Sequence, residues 1–175
     1  MNEKNTIWES AGKAGLVLGG ISILYMFISM LLVKFAADGG FLVGLLRFLF
    51  WAAKLGGCIY LMRFFMQRFA AANPEADHSR VFTFGMLAAF LSALLYAGVS
   101  LAYTSFFAPD MYADAFAALE DNPMMDSNTL AALDEMAPKM PVFAFFANLI
   151  YCFLFGTVVS AIFARKIAPE RPFSE

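Results

Sequence analysis

Two cations interrupt an otherwise apolar run in "RFLFWAAKLGG", where Arg47 and Lys54 stand seven residues apart. Seven residues is close to two helical turns, so both side chains fall near one face. Such a pair has the chemistry of an anion site: a guanidinium offers a planar fork of donors and an ammonium a point charge, and both match a phosphate. Arg47 lies six residues inside Phe41, about 9 Å at 1.5 Å per residue, so its side chain can bend back to a headgroup layer. Lys54 is about 10 Å deeper and leans towards Arg47, because helical side chains tilt towards their own N-terminus. Polar partners stand in the other apolar runs: Ser22, Tyr25 and Ser29 on one face, Ser92, Tyr96, Ser100 and Tyr103 on another, and Asn148 and Tyr151 one turn apart. None of these runs holds a carboxylate. The charges therefore need the acidic linker described below, the dipoles of Tyr, Ser and Asn, or an external anion, for which a lipid phosphate is the obvious candidate. The expected lipid-phosphate site is Arg47, Lys54, Tyr25, Tyr96 and Asn148. The plainer alternative is that Arg47 snorkels and Lys54 bonds to tyrosine and backbone groups, with no ligand.

The cations are costly where they stand. On an insertion scale each central Arg or Lys disfavours the span by about 2.5 to 3.5 kcal/mol, so the pair costs roughly 5 to 7. Eleven Leu, Ile, Val and Phe residues between Phe41 and Met62 return roughly 3 to 7 kcal/mol at about 0.3 to 0.6 each. The second run is marginal alone and must lean on its neighbours.

Those neighbours are membrane spans. With 61% hydrophobic residues, 17% aromatics and only 15% charged residues, the composition lies outside the range of soluble domains. Four apolar runs of about twenty residues or more fit one four-span domain over residues 1–175, near 11–33, 41–66, 81–107 and 141–164. The first run follows Lys4 and Lys13 but is longer than a signal-peptide core and leads through Lys34 into "FAADGG", a poor cleavage pattern, so a retained helix is expected.

Charge sets the expected orientation, since Lys and Arg near span ends stay cytoplasmic. Arg63, Arg68 and Arg80 flank the second linker, and Arg165, Lys166 and Arg171 follow the fourth span. The third linker, 108–140, has Asp110, Asp114, Glu120, Asp121, Asp126, Asp134 and Glu135 against Lys139 alone, 1 − 7 = −6. Both termini are therefore expected in the cytoplasm and the acidic linker outside. That linker reads as two short amphipathic helices around "EDNPMMDSN", the first with Met111, Ala115, Phe116 and Leu119 on one face, the second capped by Asp126 or Ser127. Pro109, Pro138 and Pro141 mark breaks around it. A solvated connecting loop is the alternative.

In lipid no hydrophobic drive holds helices together, so small residues that permit close approach should mark the seams. Ala11, Gly15 and Gly19 form one such stripe, Gly85, Ala89, Ala93 and Ala97 a second, and Gly156, Ser160 and Ala164 a third. The spacing does not say whether the seams lie within one chain or between copies. No internal repeat is evident, which gives an inverted-repeat transporter no support.

Other chemistry has little to build on. Cys58 and Cys152 both fall inside apolar runs and read as small buried hydrophobes. His78 is the only histidine, so an all-protein zinc or haem site lacks ligands and no cofactor is expected. Ser, His and Asp are not assembled at one depth for nucleophilic catalysis. Arg63, Arg68 and Arg80, interleaved with Phe64, Phe65 and Phe69, read as a cytoplasmic interfacial collar meeting a partner or anionic lipid rather than nucleic acid.

The opening "IWESAGKAGLVLGG", the two cations of the second span and the acidic linker before "FFANLIYCFLFGTVVSAIFARK" resemble a family of Bacteroidota inner-membrane proteins catalogued as domain of unknown function 4199. The resemblance covers essentially the whole chain and implies four spans. It also implies a genomic association with family-two glycosyltransferases of the polyprenyl-phosphate type, and from that an accessory role in membrane glycolipid synthesis. The expectation is an all-α, four-span, non-catalytic subunit that docks such an enzyme and helps hold its lipid-phosphate substrate. The rival expectations are a small transporter or channel-like homo-oligomer and a purely structural scaffold.

Overall fold

No proline interrupts the chain before Pro74. In the computed structural model, which describes residues 3–35, 41–117 and 126–168, that stretch folds into two long helices. These are α1 (Glu3–Phe35) and α2 (Phe41–Ala72). At 1.5 Å per residue each is roughly 50 Å long, more than the ~30 Å hydrocarbon core, so their ends reach the headgroup layers. α2 runs past the expected end at 66 because Met66 and Phe69 continue its buried stripe. It stops at Asn73, whose side-chain amide donates to the Phe69 carbonyl at 2.9 Å, just before Pro74.

Asp77 then caps α3 (His78–Ala102) by accepting from the Arg80 backbone N–H at 2.9 Å. α3 passes into a π-helical turn, Tyr103–Phe107, ahead of Pro109. Inside that turn the buried Thr104 hydroxyl donates back to the Ser100 and Leu101 carbonyls, the usual escape of a hydroxyl that has only apolar neighbours. Two short helices follow, α4 (Met111–Ala117) and α5 (Ser127–Met136), the second capped by Asp126, which accepts from the Thr129 N–H at 2.9 Å. A 3-10 turn, Ala137–Lys139, leads into α6 (Met140–Ile167), with Pro138 and Pro141 in first-turn positions where no N–H is required. Leu119, Glu120, Asp121 and Arg171 lie outside the described residues.

The described chain is all-helical, and four of its helices are long and apolar enough to cross a membrane: Ile7–Leu32, Gly44–Ala72, His78–Phe107 and the stretch ending at Ile167. This is a multi-pass membrane protein. α3 is its axis, flanked by α1 running parallel to it and α6 running antiparallel. The small-residue stripes are the seams, and they lie within one chain. A Cβ on Gly15 would stand 2.8 Å from Leu91 Cβ, and one on Gly156 would stand 2.5 Å from Ala89 Cβ, so both seams exclude any side chain larger than hydrogen. Gly19 and Gly85 are similarly close to Leu95 and Ser160. The Ser160 hydroxyl, buried in the α3–α6 seam, donates to the Gly156 carbonyl at 2.6 Å.

α2 joins this three-helix slab at one end only. Towards its C-terminus Met62, Met66 and Phe69 are buried, and the Phe69 ring stacks on Phe84 with centroids 4.4 Å apart. Towards its N-terminus every residue from Gly44 to Ala53 is exposed. The helix thus leaves the slab as it approaches the acidic linker, and a wedge opens between α2 and the other three spans.

A caged ammonium in the wedge

Lys54 sits at the apex of that wedge. Its Nζ lies 4.9 Å from the centroid of the Tyr25 ring on α1 and 5.1 Å from that of Tyr96 on α3. Both are within the ~6 Å over which a ring face attracts a cation. The antiparallel run of α2 against α1 and α3 brings these three residues to one level. Tyr96 is 18 residues from His78 and 11 from Phe107, so the cage lies ~5 Å from the middle of the span, on the side of the acidic linker. Tyr112 of α4 lies within electrostatic reach of Tyr96, and burial pushes the Tyr112 phenol above its ordinary range.

Two ring faces orient an ammonium and lower its desolvation cost, but they accept none of its three N–H donors in a conventional hydrogen bond and cancel none of its charge. Among the described residues no hydrogen bond or ion pair engages Lys54. Glu9, in the membrane-crossing stretch of α1, lies towards the opposite end and is paired with Lys13 at 2.7 Å.

A cavity of about 130 Å³ adjoins the ammonium, with all four spans contributing. On α2 its wall is Leu55, Cys58 and Ile59; on α6 it is Tyr151, Cys152 and Phe155; Ser22 and Ser92 add hydroxyls beside Lys54. Trp51, half exposed, and Tyr151, more exposed still, also line it. Leu18, Met62, Ala89 and Val159 also line the cavity, and all four are buried. One of these four comes from each span.

The residues singled out from sequence are thus divided. Lys54, Tyr25 and Tyr96 are brought together. Asn148 is half-buried on α6, one turn before the cavity residue Cys152, and does not itself line the cavity. Arg47 is exposed on the outward part of α2, two turns from Lys54, and lines no part of the cavity. Cys58 and Cys152, read from sequence as packing residues, are free, half-buried thiols that both feel the Lys54 charge. Their spacing carried the signal: Cys58 is one turn from Lys54 and Cys152 one turn from Asn148. Trp51 and the buried apolar lining carried none, because a cavity wall and a lipid-facing surface demand the same apolar residues.

The arginine collar occupies the opposite end. Arg63 and Lys166 line one cleft there, between α2 and α6, and Arg68 and Lys13 line a second, between α1 and α2. Arg80 is exposed in the first turn of α3.

Fold and site together define a four-span, all-α membrane protein with a lysine ammonium held by two tyrosine rings beside a largely apolar cavity. The family model described as "Protein of unknown function (DUF4199)" matches residues 13–165, and the chain belongs to that family. No curated protein and no solved structure matches the chain.

Proposed function

We propose that this protein is a non-catalytic accessory subunit of a bacterial inner membrane that docks a polyprenyl-phosphate-type glycosyltransferase and helps bind or position its lipid-phosphate substrate. The observation that carries this reading is the Lys54 ammonium, positioned by Tyr25 and Tyr96 yet without an acceptor or a counter-charge among the described residues. A desolvated cation with unused donors is costly. A lipid phosphate supplies both acceptors and charge, and reaches the site through the wedge without leaving the membrane. Arg47, nearer the headgroup layer, meets the phosphate on its way in, and Asn148 flanks the cage from α6. The exposure of every residue from Gly44 to Ala53, beside the site, supports a membrane-borne ligand over the rival reading, a solute path through the bundle.

Orientation follows from charge. The end that gathers Lys13, Arg63, Arg68, Arg80, Arg165 and Lys166 faces the cytoplasm with both termini, and the end that carries Asp110, Asp114 and Glu135 faces outward. The two basic clefts then lie where a cytoplasmic catalytic domain, or the anionic leaflet beneath it, would meet them. Affinity purification of the tagged chain from native membranes tests the docking. A family-two glycosyltransferase is expected in near-stoichiometric amount, falling at least fivefold in the Arg63→Glu, Arg68→Glu double variant at equal membrane abundance. A homo-oligomer enclosing a continuous polar path, with no enzyme attached, would replace this reading with the transporter one.

A further inference from the structure

We infer that the site selects lipid phosphates by charge, preferring a phosphodiester, which carries one negative charge, over a phosphomonoester, which carries nearly two at neutral pH. This selectivity rests on the reading of Lys54 as a phosphate site and adds the class of ester. Among the described residues Lys54 is the only charged side chain that lines the cavity. Its polar neighbours there are the hydroxyls of Ser22, Ser92 and Tyr151 and the thiols of Cys58 and Cys152. Arg47 stands seven residues, or ~10 Å, further out along α2 and lines no part of the cavity.

One ammonium and one singly charged phosphate form a neutral pair. A doubly charged phosphate in the same place leaves a net negative charge, which hydroxyls can solvate but not cancel. Depth turns that difference into selectivity. The cage lies ~5 Å from the middle of the span, and the turn of α2 beside it, Phe48, Leu49, Phe50 and Trp51, is apolar and exposed. The open side of the cavity therefore meets hydrocarbon, where an unpaired charge is costly, rather than the salt and water that screen a headgroup. Charge also gives the lipid its place in a reaction sequence. A transferase that adds a sugar to a lipid phosphate turns an ionisable oxygen into an ester and makes such a diester, and a transferase that uses the lipid phosphosugar as donor consumes it. The site fits the lipid between those two steps, or a glycerophospholipid of the same charge.

The probes share one chain and differ by one methyl group: farnesyl phosphate and its methyl ester. Native mass spectrometry of the full chain in neutral detergent with an equimolar mixture reads both occupancies at once. At pH 7.5 the methyl ester is expected to occupy at least fivefold more of the protein. At pH 5.5 the monoester is mostly singly charged, its second pKa lying near 6, and the ratio is expected to fall at least threefold. The other titratable groups about Lys54 are the phenols of Tyr25, Tyr96, Tyr112 and Tyr151 and the thiols of Cys58 and Cys152. Phenols and thiols ordinarily titrate above this range, and the methyl ester, singly charged at both pH values, reports any change in the protein itself. Tyr151→Lys, at an exposed position on the cavity wall, supplies a second cation and is expected to bring the ratio at pH 7.5 near one. Equal occupancy by the two probes at pH 7.5 overturns the selectivity, as does a preference that neither pH nor Tyr151→Lys alters. If occupancy is lost in Lys54→Gln but the two esters bind alike to the parent, charge selectivity alone fails. If neither ester depends on Lys54, the phosphate reading fails with it. Farnesyl phosphoglucose and dioctanoyl phosphatidylglycerol then compete against the methyl ester, and the one that displaces it at the lower concentration identifies the source of the diester.

Discussion

Gly156→Ala is expected to destabilise the bundle by about 2 to 3 kcal/mol, although alanine is the better helix former. The added methyl would stand 2.5 Å from Ala89 Cβ and 3.5 Å from Ala89 Cα, so relief requires α6 to move away from α3 as a whole. That movement loosens the seam on which Gly85 and Ser160 also meet, and in lipid no hydrophobic gain compensates the lost contacts. The diagnostic is rescue. Ala89→Gly alone should cost about 1 kcal/mol through helix propensity, yet in the Gly156→Ala background it should restore at least half the loss, a coupling of about 2 kcal/mol or more. Unfolding of the reconstituted protein, followed by helical signal or steric trapping, reads all four corners of the cycle. Additive costs would mean that the two residues are not in contact.

The second large effect concerns the cage. Tyr96→Leu should cost about 2 kcal/mol or more where Lys54 is present, because it removes one face from a desolvated cation. In a Lys54→Met background the same substitution should cost well under 1 kcal/mol, since tyrosine then does no more than leucine there. Tyr25→Leu should behave alike, its face standing 4.9 Å from the ammonium. Lys54→Met by itself should stabilise the fold, because it removes a cation that no protein acceptor satisfies. The cycle isolates the ring–cation interaction from the packing of the rings. Equal losses for Tyr96→Leu with and without Lys54 would show that the tyrosines serve packing only.

Much of this was legible from residue types and spacing. The apolar runs specified four spanning helices, since a span must be continuous and satisfy its own backbone. The small-residue stripes marked where helices approach, and Gly15 and Gly156 do so. That these seams lie within one chain was not legible, because a stripe looks the same from either side of an interface. For the site, Ser22 and Tyr25 share one face and Ser92 and Tyr96 another, and Lys54 needed partners at that depth. Arg47 shows where helical spacing misleads. Seven residues placed it on nearly the same face as Lys54, but α2 diverges from the slab between them, and divergence of a helix depends on its neighbours rather than on its own periodicity. The cavity itself left no mark in the sequence, since leucine, cysteine and phenylalanine line a pocket as readily as they fill a core.

The proposed binding of a phosphate at Lys54 can be read by native mass spectrometry of the full chain released from bacterial membranes in mild detergent. About one phosphate-bearing lipid per chain is expected, lost at least tenfold in Lys54→Gln, with the variant protein as well folded as the parent or better. Retention of the same lipid at the same stoichiometry by Lys54→Gln would contradict it and leave the ammonium as a cation held by Tyr25 and Tyr96 alone.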